Sequence, residues 1–228
     1  EEDKAGQLTA KQFFATYAFH LVVARNYKLA FGISAGMRSQ ANGLFIGNSA
    51  DPALSSLPIV VPFLPDVSAG VKLYSKKIFI DFSVKQLYKN KIQNGDKKIG
   101  SPSLLRPHAY LTIGRKFNSR TYEYVFEPSV HIKSTFTARP SVTAGCMMYI
   151  NKRIGIGLFG RFPDCVYGVI QVKIFKNVVI GFAYDYTLSP FKTASANSME
   201  IMAGISPMMS VENLPGEQST ASCPVFDY

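Results

Sequence analysis

The sequence has no tryptophan, only three cysteines and three histidines, and little charge: 18% of its 228 residues. Each scarcity removes a class of protein. Cys146, Cys165 and Cys223 stand far apart, so neither a CxxC redox pair nor a local thiolate metal site is present. At least one of the three thiols must lack an intrachain disulfide partner. The histidines, His20, His108 and His131, fall in no HExxH pattern, and no GxSxG turn or P-loop occurs. Glu127 and His131 are four residues apart, but on a strand that spacing does not converge on one metal. A non-enzymatic protein is expected, with no catalytic residue, no metal and no cofactor. No apolar run reaches the roughly 18 residues of a transmembrane helix. That excludes a helical span only, because barrel strands cross a membrane with about 9–11 residues of alternating polarity.

What is present is an unusual pairing. Net charge is +10 although charge is sparse, and aromatic residues reach 13%. A soluble nucleic-acid binder gathers more Lys and Arg into a patch, so no nucleic acid is expected as partner. The chain starts Glu1-Glu2-Asp3-Lys4, without the basic start and apolar core of a signal peptide. A mature, processed or truncated chain is the expectation.

The dominant pattern is period-two alternation. Between residues 153 and 162, Ile154, Ile156, Leu158 and Phe162 share one face, against Arg153, Gly155, Gly157, Phe159 and Arg161. Between 178 and 188, Val178, Ile180, Phe182, Tyr184, Tyr186 and Leu188 oppose Gly181, Ala183, Asp185 and Thr187. Tyr122, Tyr124, Phe126, Val130 and Ile132 likewise oppose Glu123, Glu127, Ser129 and His131. The same alternation predicts strands over 9–23, 27–38, 66–74, 77–88, 108–117, 122–134, 141–150, 153–162, 166–175, 178–188 and 198–206, about eleven in all. No segment keeps a 3.6-residue period with caps at both ends, so no helix is expected.

Short connections, near Arg25-Asn26, Ser75-Lys76, Asn118-Ser119, Asn151-Lys152 and Lys176-Asn177, alternate with longer ones near 39–65, 89–107 and 188–197. Connections 135–140 and 163–165 are the short exceptions. Outer-membrane barrels pair tight periplasmic turns with longer outer loops in this way. Residues 1–206 therefore read as an all-β, antiparallel transmembrane β-barrel of the bacterial outer membrane. By parity, residues 207–228 form a C-terminal tail in the periplasm. Leu57-Pro58-Ile59-Val60-Val61-Pro62 is too apolar for a plain solvent loop. A soluble β-sandwich binding module would also alternate, but its outward face should carry Lys, Glu, Thr and Ser. Here the polar face is rich in glycine.

The order of several short motifs adds a resemblance. Asp3-Lys4-Ala5-Gly6 precedes a strand with Tyr17-Ala18-Phe19; Tyr27 to Gly36 follows a tight turn; Pro65 to Gly70 opens another strand. Tyr184-Asp185-Tyr186-Thr187-Leu188-Ser189 precedes Met199 to Gly204, and the chain ends on Cys223-Pro224 and an aromatic. This order resembles the PorP/SprF family of the type IX secretion system of Bacteroidota, across essentially the whole chain. The resemblance implies an outer-membrane component of the secretion and gliding apparatus. It implies partners among periplasmic type IX secretion components, the PorK–PorN ring and a PorE-like peptidoglycan-binding protein, with secreted cargo for some relatives. It also implies further N-terminal strands, giving a barrel near fourteen strands.

Three sets of residues are candidates for function. The tight turns carry Arg25, Lys28, Lys76, Lys77, Lys116, Arg120, Lys152, Arg153 and Lys176, a basic ring suited to an acidic periplasmic partner. The plainer alternative is cations that decorate turns and snorkel to the interface. The tail becomes apolar at Cys223, Phe226 and Tyr228, either a partner anchor or a segment folded back on its own barrel. The polar face carries Glu123, Glu127, His131, Arg161, Asp185 and Glu200, with Asp81, Lys85, Lys133 and Lys173. These fit ion pairs that hold an occluded lumen together. The sharper alternative is an outer-membrane porin or a small-solute channel.

Overall fold

The computed structural model describes residues 2–5, 8–42, 59–88, 91–92, 103–104, 106–119, 123–151, 153–175, 178–189 and 197–205. All of its regular structure is β: β1 (Glu2–Ala5), β2 (Leu8–Ala24), β3 (Tyr27–Asn42), β4 (Ile59–Tyr74), β5 (Ile78–Lys85), β6 (Lys91–Ile92), β7 (Ser103–Leu104), β8 (His108–Arg115), β9 (Phe117–Asn118), β10 (Tyr124–Ser134), β11 (Ser141–Ile150), β12 (Ile154–Arg161), β13 (Cys165–Phe175), β14 (Val178–Thr187) and β15 (Ser198–Ile205). A 13-stranded sheet runs in the order β1-β2-β3-β4-β5-β8-β10-β11-β12-β13-β14-β15, with β9 against β10, while β6 and β7 pair separately. Chain neighbours are sheet neighbours, as in an up-and-down barrel wall. The sheet is not closed among the described residues; β1 and β15 are its ends.

Every expected strand has a counterpart, and two run longer. β3 continues to Asn42 and β4 begins at Ile59, so much of the loop expected over 39–65 is strand. Ile59, Val60 and Val61 are strong strand formers and outweigh the loop signal of Pro58, Pro62 and Pro65. Leu57 and Pro58 lie outside the described residues.

The strands divide between two compact units. The first takes its described residues from 1–73, 81–111 and 133–140. Its β2–β3 hairpin pairs Phe13 with Met37, Tyr17 with Ile33 and Phe19 with Phe31, all on one face. These six side chains are exposed, Phe13 by 74%. From Phe13 to Val23, and back from Tyr27 to Met37, each strand spends about eleven residues on this apolar band. At about 3.3 Å per residue and a tilt near 40°, the band is roughly 28 Å tall, close to the apolar height of an outer-membrane barrel. Beyond it the pairs turn polar: Gln12 with Arg38, Lys11 with Ser39.

The second unit takes its described residues from 74–80, 112–132 and 141–205. Its register lines up Met148, Ile156, Ile170, Phe182 and Ile201 in one row across β11 to β15. All five are exposed. The opposite face is the covered one. Val125, Met147 and Tyr149 are buried there, with Phe159, Val169 and Val179 packed around them. Glycine makes room for this cluster: a Cβ on Gly157 would strike Met147 Sδ, and one on Gly155 would sit 3.1 Å from the Tyr149 ring.

A β-sandwich buries its apolar faces against each other. These sheets do the reverse, presenting Ile, Leu, Phe and Tyr outward and covering glycine. Only an apolar solvent makes that arrangement favourable. Among the described residues no helix is long and apolar enough to cross a membrane.

Candidate functional site

The tight turns are compact and locally stitched. At the β4–β5 turn the Ser75 hydroxyl accepts from the Lys77 and Ile78 amides at 3.2 and 3.0 Å. At the β11–β12 turn Asn151 takes a left-handed φ of 49°. Neighbouring turns are joined by backbone bonds: Lys116 N–H to the Lys77 carbonyl, Asn151 N–H to the Glu123 carbonyl, and Lys173 N–H to the Arg153 carbonyl, each 2.7 Å. These bonds tie described parts of the second unit's rim together, with Lys76, Lys77 and Arg153 exposed on it. Lys116 turns inward, its Nζ 3.6 Å from Glu127 Oε2, both side chains largely covered. In the first unit Arg25 is exposed in the β2–β3 turn and Lys28 is half-buried. Arg120, Lys152 and Lys176 lie outside the described residues, as do Cys223, Phe226 and Tyr228 of the tail.

On the covered face of the second unit, Thr112 Oγ1 and His131 Nδ1 share a hydrogen bond at 2.9 Å. Glu123 stands at the bend before β10, exposed, at the rim rather than over the middle of the face. Arg161, Asp185 and Glu200 come together: all three line one cavity of about 470 Å³, with Tyr167 and Gln171. Arg161 Nε reaches the Thr143 hydroxyl at 3.5 Å. Asp185 Oδ1 and Gln171 Oε1 are buried and have no hydrogen-bond partner among the described residues. The Phe159 and Tyr167 rings stack at 5.2 Å beside them.

A second cavity, of about 940 Å³, lies in the first unit. Lys85 and Lys133 meet there over the Tyr110 ring, at 5.5 and 5.8 Å. Arg38, Asp66, Gln86, Arg106 and His108 also line it. The alternation did not single out these five. They come from three strands and the connection between β5 and β8, so no single alternation contains them. The usable signal was the clustering of polar residues at strand ends away from the tight turns.

Among the described residues no group of three or more His, Cys, Asp or Glu could hold a metal ion. Both cavities offer charged and hydrogen-bonding groups for recognition.

No curated protein and no solved structure matches the chain. The sheet order, the outward apolar band and the tight-turn rim agree with a family match. Residues 2–205 match the type IX secretion system membrane protein PorP/SprF, and the chain belongs to that family of outer-membrane secretion components.

Proposed function

We propose that the chain is a non-enzymatic scaffold of the type IX secretion system. It anchors or links periplasmic machinery to the outer membrane, with its tight turns and the tail 207–228 on the periplasmic side. The observation that carries this reading is the rim of the second unit. Lys76, Lys77 and Arg153 are exposed on turns that backbone bonds hold in place. Cations on a fixed rim steer an acidic partner without a desolvation cost. The partners proposed are the PorK–PorN ring and a PorE-like peptidoglycan-binding protein, with secreted cargo beside them.

The buried cluster of Val125, Met147 and Tyr149 supports a scaffold over a porin, because it fills the face that a channel would wet. The test is co-purification of periplasmic proteins with the protein in mild detergent. Lys76→Glu, Lys77→Glu, Lys152→Glu and Arg153→Glu together should abolish co-purification. If they leave it intact, the rim is not the contact. Loss on deleting 207–228 alone would move the contact to the tail. Ion conductance in a planar bilayer by the intact protein would favour the channel.

A further inference from the structure

The first unit's cavity belongs to the other end of the strands. Gln86 follows β5, Arg106 precedes β8, Lys133 nears the end of β10 and Arg38 nears the end of β3, all away from the β2–β3 turn. Four cations, Arg38, Lys85, Arg106 and Lys133, face one carboxylate, Asp66. Such an imbalance inside a cavity favours an anionic ligand. A volume of about 940 Å³ exceeds what a lone carboxylate or phosphate fills and suits a short peptide.

The hydrogen-bond inventory narrows the ligand further. With the Gln86 amide turned to suit its neighbours, its nitrogen donates to His108 Nδ1 at 3.0 Å and to the Arg106 carbonyl at 2.9 Å, and its oxygen accepts from Arg38 Nη1 at 2.8 Å. The Arg38 guanidinium is thus fixed by one edge. Its Nε is buried and has no partner among the described residues. Asp66 Oδ1, in the same cavity, is buried and likewise without a partner. One unspent donor and one unspent acceptor remain. Inorganic phosphate could answer Arg38 with an oxygen and Asp66 with its remaining hydroxyl, but its charge opposes the carboxylate and it fills only a small part of the cavity. A peptide offers both, a carboxylate oxygen to the guanidinium and a backbone N–H to Asp66.

We propose that this cavity binds an acidic peptide segment, with Arg38 and Asp66 as the paired contacts and Lys85, Arg106 and Lys133 selecting for negative charge. The site goes beyond the rim-docking reading and uses none of its residues, so either can fail alone.

The experiment is fluorescence anisotropy with the protein in detergent. The probes are a blocked, labelled tetraglutamate peptide, its tetraglutamine counterpart, and inorganic phosphate as competitor. Tetraglutamate should bind saturably and tetraglutamine should not. Arg38→Gln should weaken binding by about tenfold or more, the scale of a charge-assisted bond. Lys133→Gln should weaken it several-fold. Asp66→Asn should weaken the peptide but tighten phosphate. Lys133 is exposed, so its variant keeps the test available if Arg38→Gln does not fold, which heat-modifiable gel migration would report. The proposal is overturned if tetraglutamate does not saturate, or if Arg38→Gln and Lys133→Gln both leave its affinity unchanged. It also fails if phosphate competes equally and Asp66→Asn tightens both ligands, which would mark a simple anion site.

Discussion

An arginine placed at Ile170 meets a different solvent from one placed at Gln171. Ile170 lies midway along β13 and is 51% exposed, in the row that contains Ile156 and Phe182. Gln171 points the other way, into the cavity with Asp185, whose Oδ1 lacks a partner among the described residues. On the lipid face of a barrel, arginine at mid-depth costs about 2–4 kcal/mol, falling to about 0–1 kcal/mol near the interfaces. Ile170→Arg should therefore reduce the folded-to-unfolded ratio by roughly 30- to 1,000-fold. Phe175→Arg, beside the tight turn on the same strand, should cost about 1 kcal/mol or less. Gln171→Arg should cost less than Ile170→Arg, because it adds a cation next to an unsatisfied carboxylate.

A soluble β module predicts the reverse order. There, an exposed Ile170→Arg lies within about 0.5 kcal/mol of neutral, and overfilling at Gln171 is the damaging change. Equilibrium urea unfolding in phospholipid vesicles separates the two cases. Far-ultraviolet circular dichroism is the signal, since the chain has no tryptophan. Ile170→Ala controls for loss of the side chain itself. Equal costs at Ile170 and Gln171, or no difference between Ile170 and Phe175, would refute a lipid-facing wall.

Three further outcomes follow from local geometry. Gly157→Val should destabilise by about 1–3 kcal/mol in the same unfolding assay, because a Cβ there collides with Met147, and Met147→Ala should recover part of the loss. Lys116→Met removes the cation beside the covered Glu127 carboxylate and should cost about 1–3 kcal/mol, whereas Lys116→Met with Glu127→Gln should cost less; a double-mutant cycle reads the difference. Asn151→Val should cost about 1–2 kcal/mol at its φ of 49°, and Asn151→Gly should be near neutral, both measured by thermal unfolding.

The strands were legible in the sequence because lipid and covered face impose opposite demands at every second residue. Ile154, Ile156 and Leu158 against Gly155, Gly157 and Phe159 can be read in only one phase. Extra strand length beyond the membrane was hidden for the same reason. Past Arg38 alternation fades, and Ser39 to Asn42 look like loop. The convergence of Arg161, Asp185 and Glu200 was half legible. Alternation put them on one face, but their height depends on register, with Asp185 opposite Tyr167 and Glu200 opposite Ala183. The cavity with Arg38 and Asp66 was not legible, since it needs register across several strands and leaves no periodic trace.

The two proposed contacts differ in how their charges are solvated, and salt should separate them. On the rim, Lys76, Lys77 and Arg153 are exposed, so their fields fall off within the Debye length, about 8 Å at physiological ionic strength and 3 Å at 1 M. They raise the rate of encounter, and their hold on a seated partner weakens as salt screens it. In the cavity, Arg38 is half-buried, held by Gln86, and keeps a buried Nε for the ligand. A bond made there is shielded from mobile ions and is retained at high salt. Raising sodium chloride from about 0.05 to about 0.5 M should strip periplasmic partners from the rim by slowing their association. Over the same range, tetraglutamate should lose the attraction of the exposed Lys85 and Lys133 but keep its dependence on Arg38. Arg38→Gln should therefore weaken the peptide by a similar factor at both salt concentrations. If that factor collapses toward one at high salt, Arg38 acts as another exposed charge and the cavity has no seated contact.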